Sequence, residues 1–329
     1  MRTKRWLYPG VWLGALALLS ACGGDDDAAA PVIGAPAALS VENEAAISAA
    51  AVLHVSTLQG VVDFGAGLTG SDSASISASA RASAARALKA VMKAGRVGAL
   101  ATSSTTIDCE SGTLTTELAD DLSTAAVRFA ACLDGGVTND GELTLSRVSV
   151  SQDGLQQVYD GVVDVSSAEG TLSDKVQGLF RLSLDRSTAG QDVAQLSSTL
   201  LSFQHRSGQL VDVLELSEVQ QKSVLSDTGA RAETFSFSTT GNLVLGSNGN
   251  ITRTANVAYK VETLTALATP DLLSDPVSGQ IRITVAGKGI ILLTLEATRV
   301  HVQADLEGNG SFEVDRFQTW SNLAGPAPS

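Results

Sequence analysis

The sequence predicts a mainly β protein: a large antiparallel meander forming a curved sheet or barrel-like clam, with two N-terminal helices packed on it. Three observations predict it. Apolar residues recur near a period of 3.6 between about 42 and 94. From Val97 onward the period changes to two, with clean alternation in Gln280 to Val285, Arg299 to Ala304 and Thr234 to Phe237. Turn-forming clusters then punctuate the strands at short intervals, for example Asn139-Asp140-Gly141, Ala168-Glu169-Gly170 and Gly287-Lys288-Gly289.

The chain begins with a charged segment containing Arg2, Lys4 and Arg5. An apolar run from Trp6 to Leu19 follows, too short for a comfortable membrane span. It ends in Leu19-Ser20-Ala21-Cys22, which resembles a bacterial lipobox. That resemblance implies cleavage before Cys22, a thioether diacylglycerol on its sulfur and acylation of the new amino terminus. Residues 1–21 are therefore expected to be a lipoprotein signal peptide. Residues 22–41 open on Gly23-Gly24-Asp25-Asp26-Asp27 and continue Ala/Pro-rich, a composition that cannot bury enough surface to order itself. They are expected to be a disordered tether. An Asp directly after the lipidated Cys favours inner-membrane retention; Gly23 stands there, so the expected location is the outer membrane, on its periplasmic face.

Residues 42–96 form the expected helical segment. Ile47, Ala51, Val55, Leu58 and Val62 mark one helix, over 43–64. Ile76, Ala80, Leu88, Val91 and Met92 mark a second, over 74–94, with Arg81, Lys89 and Lys93 along another side. Such a basic helix can lie on anionic headgroups, but packing of its apolar stripe on the sheet is the expected use.

Residues 97–321 are expected to be the antiparallel β domain, with about a dozen strands joined by short loops, and 322–329 a tail. Alternation assigns Phe235, Phe237, Leu243, Leu245, Ile281, Ile283, Val285, Val300 and Val302 to the inner face. In Glu142 to Leu145 the pattern slips at Ser146-Arg147 and resumes at Val148 and Val150, which predicts a β-bulge. A barrel this wide could not be filled by Val, Ile and Leu alone, so the helices are expected to plug it. A membrane-spanning barrel would want two aromatic girdles. Beyond the leader the chain keeps only Trp320, Tyr159 and Tyr259 of those ring types.

Cys109 and Cys132 are the only thiols left after Cys22, in a chain bound for an oxidising space, so a disulfide between them is expected. Two Cys make an incomplete zinc set, and His54, His205 and His301 lie far apart in sequence. The best metal candidate is the turn carrying Asp305, Glu307, Asn309 and Glu313. Its oxygen ligands at positions 1, 3 and 5, Gly310 at 6 and an acid at 9 imitate a calcium loop. Position 12 is Arg316 instead of the bidentate Glu. A hairpin in which Asn and Gly adopt positive φ explains the same letters without calcium. No other cofactor is implied.

Function classes narrow from the same composition. The chain has 22 Lys+Arg against 35 Asp+Glu, net charge −13, and becomes more acidic once the basic leader is removed. Nucleic acid is therefore not an expected partner. Gly287-Lys288-Gly289 joins two strands, and Arg282 stands where a phosphate loop needs its first Gly. No Gly-x-Ser-x-Gly elbow occurs, and no enzyme is expected.

The whole pattern resembles a family of proteobacterial lipoproteins: a Cys-Gly-Gly lipidated start, an Ala-rich helical lead-in and a long β region. The residues that carry the likeness are Asp108 to Gly112 with Val127 to Cys132, and Pro276 to Ile283 followed by Thr294 to Asp305, an acidic Gly turn and Trp320 on a last strand. The resemblance implies fold and location, without an activity. The expected function is a membrane-anchored, non-catalytic module binding a lipid or other hydrophobic ligand or an envelope protein partner. The alternative is a structural or adhesive surface lipoprotein with a filled β core.

Overall fold

The computed structural model describes residues 35–68, 104–119, 123–134, 136–170, 172–207, 210–247, 250–270 and 276–323. Cys22, Leu245's side chain, the tether before 35 and the expected helix over 74–94 lie outside what is described. A single long helix, α1 (Glu44–Leu68), is present among the described residues, where the sequence predicted two.

Fourteen strands follow it: β1 (Thr105–Asp108), β2 (Ser111–Leu118), β3 (Thr124–Asp134), β4 (Val137–Val150), β5 (Gln156–Glu169), β6 (Leu172–Asp185), β7 (Gln191–Ser207), β8 (Leu210–Ser226), β9 (Arg231–Ser247), β10 (Asn250–Thr269), β11 (Ser278–Val285), β12 (Ile290–Glu296), β13 (Arg299–Asp305) and β14 (Val314–Gln318). Their order in the sheet is their order in the chain, every pair is antiparallel, and among the described residues β1 and β14 are the edges, each with one neighbour. The sheet is thus an open meander, and the closed-barrel form of the expectation does not occur. A one-turn helix, α2 (Trp320–Leu323), ends the described chain. Trp320, expected on a last strand, begins this turn instead and is buried together with Leu323.

The inner face is the predicted one. Phe235, Phe237, Leu243, Ile281, Ile283, Val285, Val300 and Val302 are all buried. Register shifts run as a line through the middle of the sheet, between Leu179 and Arg181, Ser217 and Gln220, and Glu262 and Leu267. Extra residues on one strand of a pair bend it and increase local twist. Side-chain hydroxyls replace the ladder bonds lost there. Ser198 donates to the Leu179 carbonyl (2.5 Å) and accepts from the Leu200 N–H (3.2 Å), and Thr263 does the same for both backbone groups of Phe235. The bulge predicted near Ser146 lies between Arg147 and Ser149. The slip leaves Val148 and Val150 exposed instead of returning them to the core.

Helix α1 lies against the inner face of β6, β7 and β9 and touches α2. Its entry is fixed by the Asn43 side chain. Asn43 Oδ1 accepts from the Ser40 backbone N–H (2.8 Å), while its Nδ2 donates to the Ala38 carbonyl (2.9 Å). The predicted stripe of Ile47, Ala51, Val55, Leu58 and Val62 is buried, and so are Ser48, Val52, His54 and Thr57, which lie off it. A surface helix leaves one side wet; on α1 that side is reduced to a narrow stripe through Ala45, Ala49, Leu53 and Ser56. The order expected only from 42 begins earlier, since the Ala37 N–H donates to the Asn256 carbonyl and Leu39 is buried over Gly289.

Candidate functional site

The side chains with unsatisfied chemistry lie on the inner face, in one row across the sheet. Direct partners in register are Cys132 and Asn139, Asn139 and Ser167, Ser167 and Asp174, Asp174 and His205, then His205 and Asp212. Each strand contributes one residue because alternation puts every second side chain on the same face. The adjoining row toward the middle is Val165, Val176, Phe203 and Leu214, all buried. A polar line therefore borders an apolar one.

Within that row Asp174 Oδ1 lies 2.5 Å from His205 Nδ1. Asp174 is 5% exposed, whereas the His205 side chain is 39% exposed. The hydrogen bond to Asp174 holds the imidazole above its ordinary pKa against the effect of burial, and the charges of Asp174 and Asp212 act in the same sense. The second carboxylate oxygen, Asp174 Oδ2, has no hydrogen-bond partner among the described residues, and neither has Asn139 Oδ1, on a residue 2% exposed. Ser167 and His205 sit on strands separated by β6, roughly 10 Å apart at the backbone.

Two further polar clusters hold α1. At its start, Glu44 is buried, accepts from Ser48 Oγ (2.9 Å) and pairs with Arg316 Nη1 on β14 (2.6 Å). Near its other end, Gln59 donates to the fully buried Glu233, which also receives Gln221 and Arg231 at 3.5 Å. Between them His54 meets the rings of Phe203 and Phe237. Burial alone pushes its pKa down to about 3, so it is neutral.

Cys109 and Cys132 form the expected disulfide, tying the β1–β2 turn to β3. The calcium candidates occupy the β13–β14 connection. Asp305 Oδ1 accepts the N–H of Gly308 (2.7 Å) and Asn309 (3.1 Å), and Oδ2 that of Gly310 (2.7 Å). Glu313 accepts from the Leu306 N–H (2.7 Å), and Glu307 accepts from Asn309 Nδ2 (3.2 Å). These oxygens close the turn on itself. Among the described residues no three His, Cys, Asp or Glu side chains converge as a metal-binding group. His301, read as facing the polar side, stacks on Phe317 and contacts Asp315 (2.6 Å), with Arg299 over the same ring.

Sequence reading missed the row because its members come from five strands, with 28 residues between Asn139 and Ser167 and 31 between Asp174 and His205. The available signal was local: Leu201, Phe203 and His205 alternate, which places His205 on the inner face. No family model, curated protein or solved structure matches the chain.

Proposed function

We propose that the protein is an outer-membrane lipoprotein, tethered through Cys22 and facing the periplasm, whose folded part is a non-catalytic binding module for an envelope protein partner. The observation that carries this choice over a lipid carrier is α1. Its buried residues lie on β6, β7 and β9, so that part of the inner face is already covered by the chain itself. The open sheet also leaves its outer face available. There Val162, Leu179 and Leu200 are direct cross-strand partners, exposed by 42%, 65% and 48%. The flanking row contains the Asp160–Arg181 ion pair, giving an apolar line with a charged border. Among the described residues β1 and β14 each border one strand only, and no helix is long and apolar enough to cross a membrane.

A second reading, a carrier in which α1 is a displaceable lid, is favoured by one observation: the helix buries His54 with its Nδ1 lacking a hydrogen-bond partner among the described residues, a cost to a permanent plug. Organic extraction and mass spectrometry of the protein purified without its anchor separate the two. The filled module yields no stoichiometric lipid, and an equimolar guest would establish the carrier. Cys22→Ser is expected to leave an uncleaved precursor without acyl chains. Unchanged incorporation of labelled palmitate would overturn the anchor.

A further inference from the structure

We propose that the inner-face row of Asn139, Ser167, Asp174, His205 and Asp212 is a binding site for a protonated primary amine. The argument starts from two buried acceptors. Asn139 Oδ1 and Asp174 Oδ2 have no partner among the described residues, on side chains at least nine-tenths buried. Buried polar atoms of this kind are rare in folded proteins because each forfeits its bonds to water. Both are acceptors, so what completes them must donate.

Charge restricts the donor further. The oxygen left over on Asp174 belongs to a carboxylate, and a positively charged donor bonds a carboxylate more strongly than a neutral one does. A bound water would satisfy the hydrogen bonding alone; a cation meets the charge of Asp174 as well. A metal ion is the poorer fit. No three His, Cys, Asp or Glu side chains among the described residues converge on one point. The two unpartnered oxygens also belong to β4 and β6, whose backbones lie roughly 10 Å apart with β5 between them. An alkylammonium group has three directed N–H bonds and reaches N···O distances of about 2.8 Å on each side, wider than a metal's coordination shell.

The geometry of the pair supports this placement. Asp174 turns Oδ1 toward His205 on β7, so its other oxygen diverges from that strand. His205, the half-exposed member, lies between the buried carboxylate and solvent. The buried row of Val165, Val176, Phe203 and Leu214 next to it suits a short carbon stem behind the charged head. A free small amine and an aminophospholipid headgroup both carry this ammonium group, and the chemistry is common to the two sources. A free amine at this site is compatible with the protein-partner reading above, whereas a bound aminophospholipid would favour the carrier reading.

The test uses the full mature chain in detergent, with the His205 ring signals followed by NMR. Titration with ethanolamine is expected to give a saturable shift. Choline, equally charged but without N–H donors, is expected to bind about tenfold more weakly, and Asp174→Asn to weaken ethanolamine by a similar factor. Should Asp174→Asn fail to fold, the ethanolamine–choline ratio on the unaltered protein decides. Protein in vesicles of aminophospholipid, compared with vesicles of choline phospholipid alone, identifies the source. A shift in the former without added amine assigns the headgroup, and a shift only with ethanolamine assigns a free amine; both uphold the site. Equal binding of choline, or no saturable shift with any probe, would overturn it and leave a row that holds water only.

Discussion

The imidazole of His54 packs 4.8 Å from the ring of Phe203, centroid to centroid, in the interior between α1 and β7. An ionisable ring surrounded by hydrocarbon makes folding pH-dependent with a definite sign. Its folded pKa lies near 3, below the ordinary 6.5, so the unfolded chain binds this proton first. The stability it preserves is present above pH 6.5 and is lost as pH falls from there toward 3. The slope is about 1.4 kcal/mol per pH unit. Urea unfolding at pH 7 and pH 5 measures it. His54→Phe is expected to flatten that interval, and an unchanged slope would show that His54 is not the group responsible.

A second interior relation concerns Gly161 and Phe180, direct partners across β5 and β6. A Cβ built on Gly161 would stand 2.2 Å from the end of the Phe180 ring. The glycine is needed for the ring to lie over the strand. Gly161→Ala is expected to cost about 1–3 kcal/mol through overpacking. Combining it with Phe180→Leu should be less destabilising than the sum of the single changes, because the clash is removed with the ring. Additive costs in a denaturation cycle would refute the contact.

These two residues show which features were legible in the sequence. Phe235, Phe237 and the 281–302 set were read correctly because alternation is a local property of each strand. The stripe on α1 was read for the same reason. The burial of His54 and Thr57 was not, because a period of 3.6 identifies one contact side and the burial of α1 extends beyond it. The row from Asn139 to Asp212 was hidden more deeply. It exists only through register across five strands, and register is fixed by hairpin geometry and bulges, not by any one segment.

The turn after β13 yields the third prediction. Burial raises the pKa of Asp305, but the N–H groups of Gly310, Asn309, Gly308 and Glu307 outweigh it and hold the carboxylate below its ordinary value. A depressed carboxylate contributes stability above its unfolded pKa, and that contribution disappears as pH falls through the folded value. Asp305→Ala is expected to lower Tm at pH 7 and to lose that advantage at low pH. Because the same oxygens close the turn, added calcium is expected to leave Tm unchanged. A calcium-dependent rise abolished by Asp305→Ala would instead make this turn a metal site.

The last prediction concerns how α1 is kept in place. Glu44 is almost wholly buried, while its partner Arg316 on β14 is about one-third exposed. Removing the arginine strands a carboxylate in the interior, which costs far more than an exposed ion pair is worth. Arg316→Met is expected to destabilise the protein by about 3 kcal/mol. Glu44→Gln should cost less, since the amide can still meet Ser48 and leaves no buried charge. The loss should also be local. Amide exchange should accelerate in the first turns of α1 before the central strands β6 to β9, because Arg316 joins the helix start to an edge strand and not to the middle of the sheet. Uniform acceleration throughout the sheet would mean that helix and sheet unfold as one unit, and a lid-like departure of α1 would then be unavailable to this fold.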